Sequence, residues 1–318
     1  MPCSRWARAC WTAPTWRGPR RAGGRGPPPA RTAATFPVSG YVVQRSGLGH
    51  RPRRLRPPAR RDPRRRPLGD GGHGHYDQLS VVLADGRALV TDPGRYTYAE
   101  DDAGWRRWFK GTAAHNTVCV DGLDQVPYRR GKPRGPLPHA RVLGRTSEPG
   151  LDLVTAAAES PCHDAVHTRT LAFVGRAFWV VHDRLRAATP HRYEARWHLG
   201  PDVPVRRLVR HPGGRALVDA DGLRIAVPAG FGEAGTKHGW VSPRYGEKLP
   251  AVVVTVAAEG AADADLITVL VPGGGPVEAA ARRGDGGVEV TVGAVGARWH
   301  LRWDPDRPEH AELEMGPW

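Results

Sequence analysis

From residue 68 onward the apolar residues come in short runs of β type, punctuated by Gly, Pro, Asp and Asn. Leu79 to Leu83 and Arg87 to Thr91 flank Asp85-Gly86, a pair that tolerates positive φ, and this predicts a hairpin. Further strands are predicted at Asn116 to Val120, Asp152 to Ala158, Thr168 to Val174, Ala177 to Asp183 and Arg192 to Leu199. Five more follow, at Leu223 to Val227, Ala251 to Ala257, Leu266 to Val271, Gly287 to Val292 and Ala297 to Trp303. In RYEARWHL the period of two is clear: Tyr193, Ala195, Trp197 and Leu199 share one face, and Arg192, Glu194, Arg196 and His198 the other. Strands at this spacing with hardly any helical periodicity predict an all-β chain, an antiparallel β-sandwich of about two packed sheets.

The upstream texture is different. Residues 1 to 34 are Arg, Pro, Gly and Ala with three Trp, a composition that cannot bury a core and is expected to be disordered. Phe36 to Gly47 then predicts a short strand between turns. After it, nine Arg and five Pro crowd residues 48 to 67. That run is not expected to continue the strand, because Pro removes ladder donors and like charges repel. Three readings apply to it. Translation of an out-of-frame stretch in a GC-rich gene is favoured by the abrupt boundaries; a solvated linker and a basic nucleic-acid arm are the others.

The charge follows this division. The net charge of +15 sits wholly in residues 1 to 70, which hold 17 Arg and two acidic residues, whereas residues 71 to 318 hold 30 basic and 30 acidic residues. The patterned region therefore carries no bias towards nucleic acid. Four cysteines without a C-x-x-C pair indicate neither a disulfide framework nor a thiolate zinc site. Cys119, between Val118 and Val120, is read as packing. No apolar run is long enough to span a bilayer, and no signal-peptide core is visible near the N-terminus.

The densest group of chemically capable residues is GDGGHGHYDQLS at Gly69 to Ser80. Glycine lets a ligand approach the backbone, and His73, His75 and Asp77 lie within it. Asp92 ends the hairpin in TDPG, and His115 precedes another strand in TAAHNT. Two imidazoles, one carboxylate and a water make a reasonable zinc set. In an ideal hairpin Asp92 would lie opposite Leu79 and His75 opposite Tyr96. His75 and Asp92 then share a face but are about four residues out of step, roughly 13 Å at ~3.3 Å per residue. A common site requires a bend near Tyr76 to Gln78. On the residues alone, a Gly-rich turn with solvated or hydrogen-bonded imidazoles explains His73 and His75 better than a site does, and His163, His167, His182, His191 and His198 are read as structural.

The stretches GGHGHYDQLSVVLADGRALVTDPGRYTY and TAAHNTVCVDGLDQ resemble the signature of the heparinase II/III C-terminal domain, shared with related alginate lyases. FWVVHDRL, RYEARWHLGPD and SPRYGEKLP fall in the same order. The resemblance covers Phe36 to Gly47 and about Gly69 to Trp303 and breaks across the Arg/Pro run. With composition marking a disordered segment at 1–34 and the Arg/Pro run at 48–67, the resemblance implies a first family strand at 35–47 and a polysaccharide-lyase β-sandwich at 68–318.

It also implies zinc ligands His75, Asp92 and His115, with His73 facing the substrate and assisting catalysis. The reaction would be β-elimination on an acidic, uronic-acid-containing polysaccharide, heparan-like or alginate-like, in the cell envelope or outside the cell. Tyr96, Tyr98 and Lys110 are candidate substrate contacts; the bland alternative is core or rim packing for the two tyrosines and a solvated face, shared with Arg106 and Arg107, for Lys110. Family enzymes carry a helical toroid ahead of the sandwich that supplies most of the proton transfer. The 35 residues before the first strand have no helical pattern, so catalysis by this chain alone is not expected. The other reading is a non-catalytic carbohydrate-binding or structural metal-binding sandwich. The choice of polysaccharide and the oligomeric state stay open.

Overall fold

The computed structural model describes residues 33–36, 40–46, 55–56, 74–100, 103–128, 139–284 and 287–318. These belong to one compact unit, Thr32–Trp318. Every strand pairing among them is antiparallel. An eight-stranded sheet forms the middle layer, in the order Val205–Arg210, Ala216–Ala220, Leu223–Val227, Ala264–Pro272, Phe178–Arg186, Val166–Val174, Leu151–Glu159 and His139–Glu148.

Alternate residues of its central strands serve two different cores. Trp179 and Val181 join Tyr193, Ala195, Trp197 and Leu199 in one, packed against the sheet Glu233–Arg244, Glu247–Ala261, His191–His198 and Val118–Val120. Phe178 and Val180 join Val288, Val290, Leu301 and Trp303 in the other, beneath the sheet Glu278–Gly284, Gly287–Ala294, Ala297–Asp304 and Arg307–Gly316. The all-β antiparallel reading therefore holds, but two layers become three. Burial on both faces explains why FWVV and DLITVLV read as continuous apolar runs.

Several strands escaped the pattern. His139–Glu148 and Arg307–Gly316 lie at sheet edges and alternate buried with exposed positions only loosely. A one-sided edge strand needs few apolar residues, so its signal is weak. Phe36 to Gly47 resolves into a hairpin of Ala34–Phe36 and Tyr41–Val43, with Gly40 at φ 67°. Gln44 then ties this end to the main sheet, donating to the Asp152 carbonyl at 2.6 Å and accepting from Trp179 Nε1 at 3.0 Å.

Within the Arg/Pro run only Leu55–Arg56 is described, and it pairs with Ala84 and Asp85. These two residues join the sheet of Leu83–Asp85 and Arg87–Val90, not that of Ala34–Phe36 and Tyr41–Val43. The rest of 48–67, and residues 1–32, lie outside the described residues. No described helix is long and apolar enough to cross a membrane.

Candidate metal centre

The hairpin register differs from the ideal one. Asp85 pairs with Arg87, Ala84 with Ala88 and Leu83 with Val90, leaving Gly86 alone at the tip with φ 70° and a shift between Leu83 and Ala84. The ladder ends at Leu83, so Asp92 does not face Leu79 across it. Upstream, Leu79 takes φ 56° and Ser80 N–H donates to the Asp77 carbonyl at 3.3 Å. This turn lies next to the place where a bend was required. Tyr76 N–H donates to the Lys110 carbonyl at 2.9 Å, so the preceding residue, His75, is set beside the segment that carries His115.

The result brings three sequence-predicted residues together. His75, Asp92 and His115 each offer a ligand atom, all within 4.8 Å of one another. His115 Nδ1 lies 3.0 Å from Asp92 Oδ2, and the His75 and His115 rings are 5.1 Å apart. His115 is fully buried, while the Asp92 side chain keeps 42% exposure, so the group opens to the surface on the Asp92 side. His115 Nε2 is buried without a hydrogen-bond partner among the described residues.

Burial first, and then the His115 charge, push the His75 imidazole down to about 3, so it is neutral at physiological pH. Burial opposes ionisation of Asp92, but His115 and the Gly94 N–H, which donates at 2.9 Å, outweigh it and hold the carboxyl well below its usual range. The neutral His75 imidazole, a second imidazole at His115 and an ionised carboxylate are a donor set that suits a borderline divalent cation such as zinc, with room for a water or a substrate atom. These are the residues that could hold one.

The supporting shell reaches far along the chain. Asn116 Nδ2 donates to the carbonyls of Val81 (2.8 Å) and Thr91 (2.9 Å), and Asn116 Oδ1 accepts from His198 N–H (2.6 Å). His198, fully buried behind the group, is pushed down to about 3 by burial and by His115. Arg169, from the main sheet, donates to the carbonyls of Leu79 (2.7 Å) and Asn116 (2.6 Å). Arg169 is itself gripped by Asp183 at 2.6 and 2.9 Å, and His167 Nε2 lies 2.6 Å from Asp183 Oδ1. Gln125 holds the turn at Gln78 N–H (2.8 Å). Pattern reading named His167 and His198 as structural, but it missed Asn116, Gln125, Arg169 and Asp183. For Arg169 and Asp183 the sequence signal was a charged residue inside an otherwise apolar strand; Asn116 and Gln125 lie outside the strands and had none.

The remaining site candidates separate. His73 lies outside the described residues. Lys110 is buried at 2% exposure with its ammonium 5.3 Å from the Tyr76 ring centroid, which corrects the picture of a surface cation presented to a sugar. Its helix, Trp105–Lys110, turns Phe109 and Lys110 inward. Tyr96 packs on Phe109 (5.7 Å) and Trp105 (6.0 Å), the core or rim fate. Tyr98 is 43% exposed and stacks on Tyr245 at 5.8 Å. Cys119 is buried with its thiol pushed up to about 11 by desolvation, in keeping with packing.

A layered antiparallel β fold with a His/Asp/His group beside a surface opening is thus defined. The family model for the heparinase II/III-like C-terminal domain matches residues 28–270. That is more than half of the chain, and the protein belongs to this family. The match runs through the Arg/Pro-rich segment and stops at Leu270, short of the Trp303 limit of the resemblance. Among solved structures, heparan sulfate lyase HepC from Pedobacter heparinus is similar at 19% identity and a TM-score of 0.65, covering 93% of this chain. A heparinase III, the BT4657 gene product, is similar at 18% identity and a TM-score of 0.68, covering 89%. A further heparinase III gives 17% and 0.66. The match spans 44% of the length of each of those three chains. At these identities the likeness speaks for the fold. Comparison with curated proteins found no match.

Proposed function

We propose that this chain is the β-sandwich part of a polysaccharide lyase that cleaves uronic-acid-containing polysaccharide by β-elimination, and that His75, Asp92 and His115 hold zinc. The observation that carries the reading is the convergence of those three side chains from segments separated by 17 and 23 residues. Bound there, zinc would supply a fixed positive charge. The chain's own part is to keep His75 neutral, Asp92 ionised and the neighbouring loops in register.

In β-elimination a base takes the C5 proton of the uronic acid, the C4–O bond breaks with its electrons going to the leaving sugar, and a C4=C5 double bond forms. The carboxylate of the sugar must be neutralised for C5 to become acidic. His73, two residues before His75, is the proposed donor to that carboxylate. Solved heparan sulfate lyase and heparinase III chains more than twice this length share the fold, which supports an acidic glycan as substrate. A setting in the cell envelope or outside the cell is part of the same proposal. The test is to incubate the zinc-loaded protein with heparan sulfate and alginate and follow the ultraviolet absorbance of the unsaturated product. No absorbance from either, with zinc bound, removes catalysis by this chain alone, and none after a heparinase helical domain is added removes the lyase reading.

A second reading, a binding module that keeps the metal for stability, is favoured by one observation. The neutral, largely buried His75 has no acid–base capacity near pH 7, so that imidazole moves no proton.

A further inference from the structure

The hairpin between Glu233–Arg244 and Glu247–Ala261 packs along the segment that follows Asp92. Ser242 N–H donates to the Pro93 carbonyl at 2.7 Å, and Gly246 N–H donates to the Tyr96 carbonyl at 2.8 Å. The fit is close at Gly94, where φ is +74° and a Cβ would come within 2.6 Å of the Ser242 carbonyl oxygen. This seating gathers two cations and several rings into one strip. Arg95 lies over the Tyr98 ring at 4.6 Å, and Tyr98 stacks on Tyr245 with an interplanar angle of 23°. Tyr245 is 63% exposed.

Further along the hairpin, Lys248 Nζ lies 4.2 Å from the Trp105 centroid, 4.5 Å from that of Trp240 and 5.5 Å from that of Tyr96. The strip starts beside the metal centre, because Arg95 directly follows Gly94, whose N–H donates to Asp92 Oδ1 at 2.9 Å. Glu247, next to Lys248 in the chain, pairs instead with Arg244 at 3.1 Å. Among the described residues Lys248 pairs with no carboxylate, so its charge is balanced only by ring faces.

We propose that Arg95, Tyr98, Tyr245 and Lys248 form an acidic-saccharide platform leading away from the metal centre, the rings taking sugar faces and the two cations taking carboxylates or sulfates. Pyranose rings present flat C–H faces that pack on aromatic rings, and guanidinium matches a planar carboxylate through two parallel hydrogen bonds. Alternating ring and cation therefore selects a charged glycan over a neutral one. The proposal rests on the lyase reading for its substrate class but not on catalysis.

It is tested by calorimetric titration of the zinc-loaded full chain with a uronic-acid oligosaccharide and with a neutral oligosaccharide of equal length. Wild type is expected to bind the acidic ligand and not the neutral one. Tyr245→Ala and Lys248→Gln should each weaken that binding by about tenfold, a change of ~1.4 kcal/mol. Tyr245→Phe, which keeps the ring, should bind as wild type. Tyr245 is at a surface turn, so loss of its ring leaves the core intact, and a circular dichroism melt checks Lys248→Gln. Wild-type affinity in both Tyr245→Ala and Lys248→Gln overturns the platform and leaves the lyase reading standing. Weakened binding by both variants, with no elimination product from wild type even after a heparinase helical domain is added, supports the platform and removes the lyase reading instead. Absence of acidic-ligand binding by wild type overturns the platform outright.

Discussion

Asn116 Nδ2 donates to the carbonyl oxygen of Thr91 at 2.9 Å, joining the residue after His115 to the residue before Asp92. The same carboxamide reaches Val81 and receives His198 N–H, so one buried side chain ties three segments around the metal centre.

Replacing Asn116 by Ala strands the Val81 and Thr91 carbonyls and the His198 N–H, all in the interior. Each unsatisfied group costs about 1–3 kcal/mol, so the variant is expected to lose on the order of 3 kcal/mol. Urea denaturation checks the stability. Metal analysis should also show reduced zinc occupancy, because the loops that carry His115 and Asp92 are no longer tied. A variant with wild-type midpoint and zinc content would show that Asn116 ties nothing of consequence.

His115→Ala should abolish stoichiometric zinc, since it removes one of three donors from the group. His163→Ala, outside the group, should keep it. Elemental analysis of dialysed protein reads both; equal zinc in the two variants would remove His115 from the site.

Asp183 sits wholly buried between Arg169 and His167, and these partners overcome its burial and hold its carboxyl well below the usual range. A lowered folded-state pKa means that its stabilising effect is present above the ordinary carboxylate value near 3.9 and is lost as pH falls through the folded value. Asp183→Asn leaves Arg169 charged and unpaired in the interior and should cost about 3–5 kcal/mol. Thermal melts at neutral pH measure this. A loss under 1 kcal/mol would mean that water or another group has replaced the carboxylate.

His191 works with the opposite sign. Its two ring nitrogens face Asp121 at 2.6 Å and Asp164 at 2.5 Å, and the Asp121 contact raises its pKa. This contribution is complete below the ordinary histidine value of about 6.5 and is lost as pH rises through the raised folded value. His191→Gln should flatten that part of the stability profile. Denaturation midpoints measured stepwise from pH 6 upward, about half a unit below the ordinary histidine value, give the comparison. Identical slopes for wild type and variant would rule the latch out.

Parity along the strands was legible from the residues alone. Tyr193, Ala195, Trp197 and Leu199 were placed on one face by their spacing, and all four lie in one core. The two-residue period is local and needs no knowledge of partners. The same reading missed edge strands such as Arg307–Gly316, where half-exposed positions dilute the pattern. It placed Lys110 at the surface because a cation beside Arg106 and Arg107 looks solvated, whereas the short helix turns it inward over Tyr76.

The sequence by itself determined an antiparallel β fold, a family signature and the order of His75, Asp92 and His115. It could not bring those three together, since an ideal ladder leaves His75 and Asp92 roughly 13 Å apart, at ~3.3 Å per residue. Tertiary structure decided that. The ladder stops at Leu83, the chain turns at Asp77 to Ser80, and Asn116 and Arg169 hold the displaced loop through hydrogen bonds from residues 35 to 90 positions away. Such bonds depend on where distant backbone carbonyls fall in space, and that position is fixed only when the sheets are stacked.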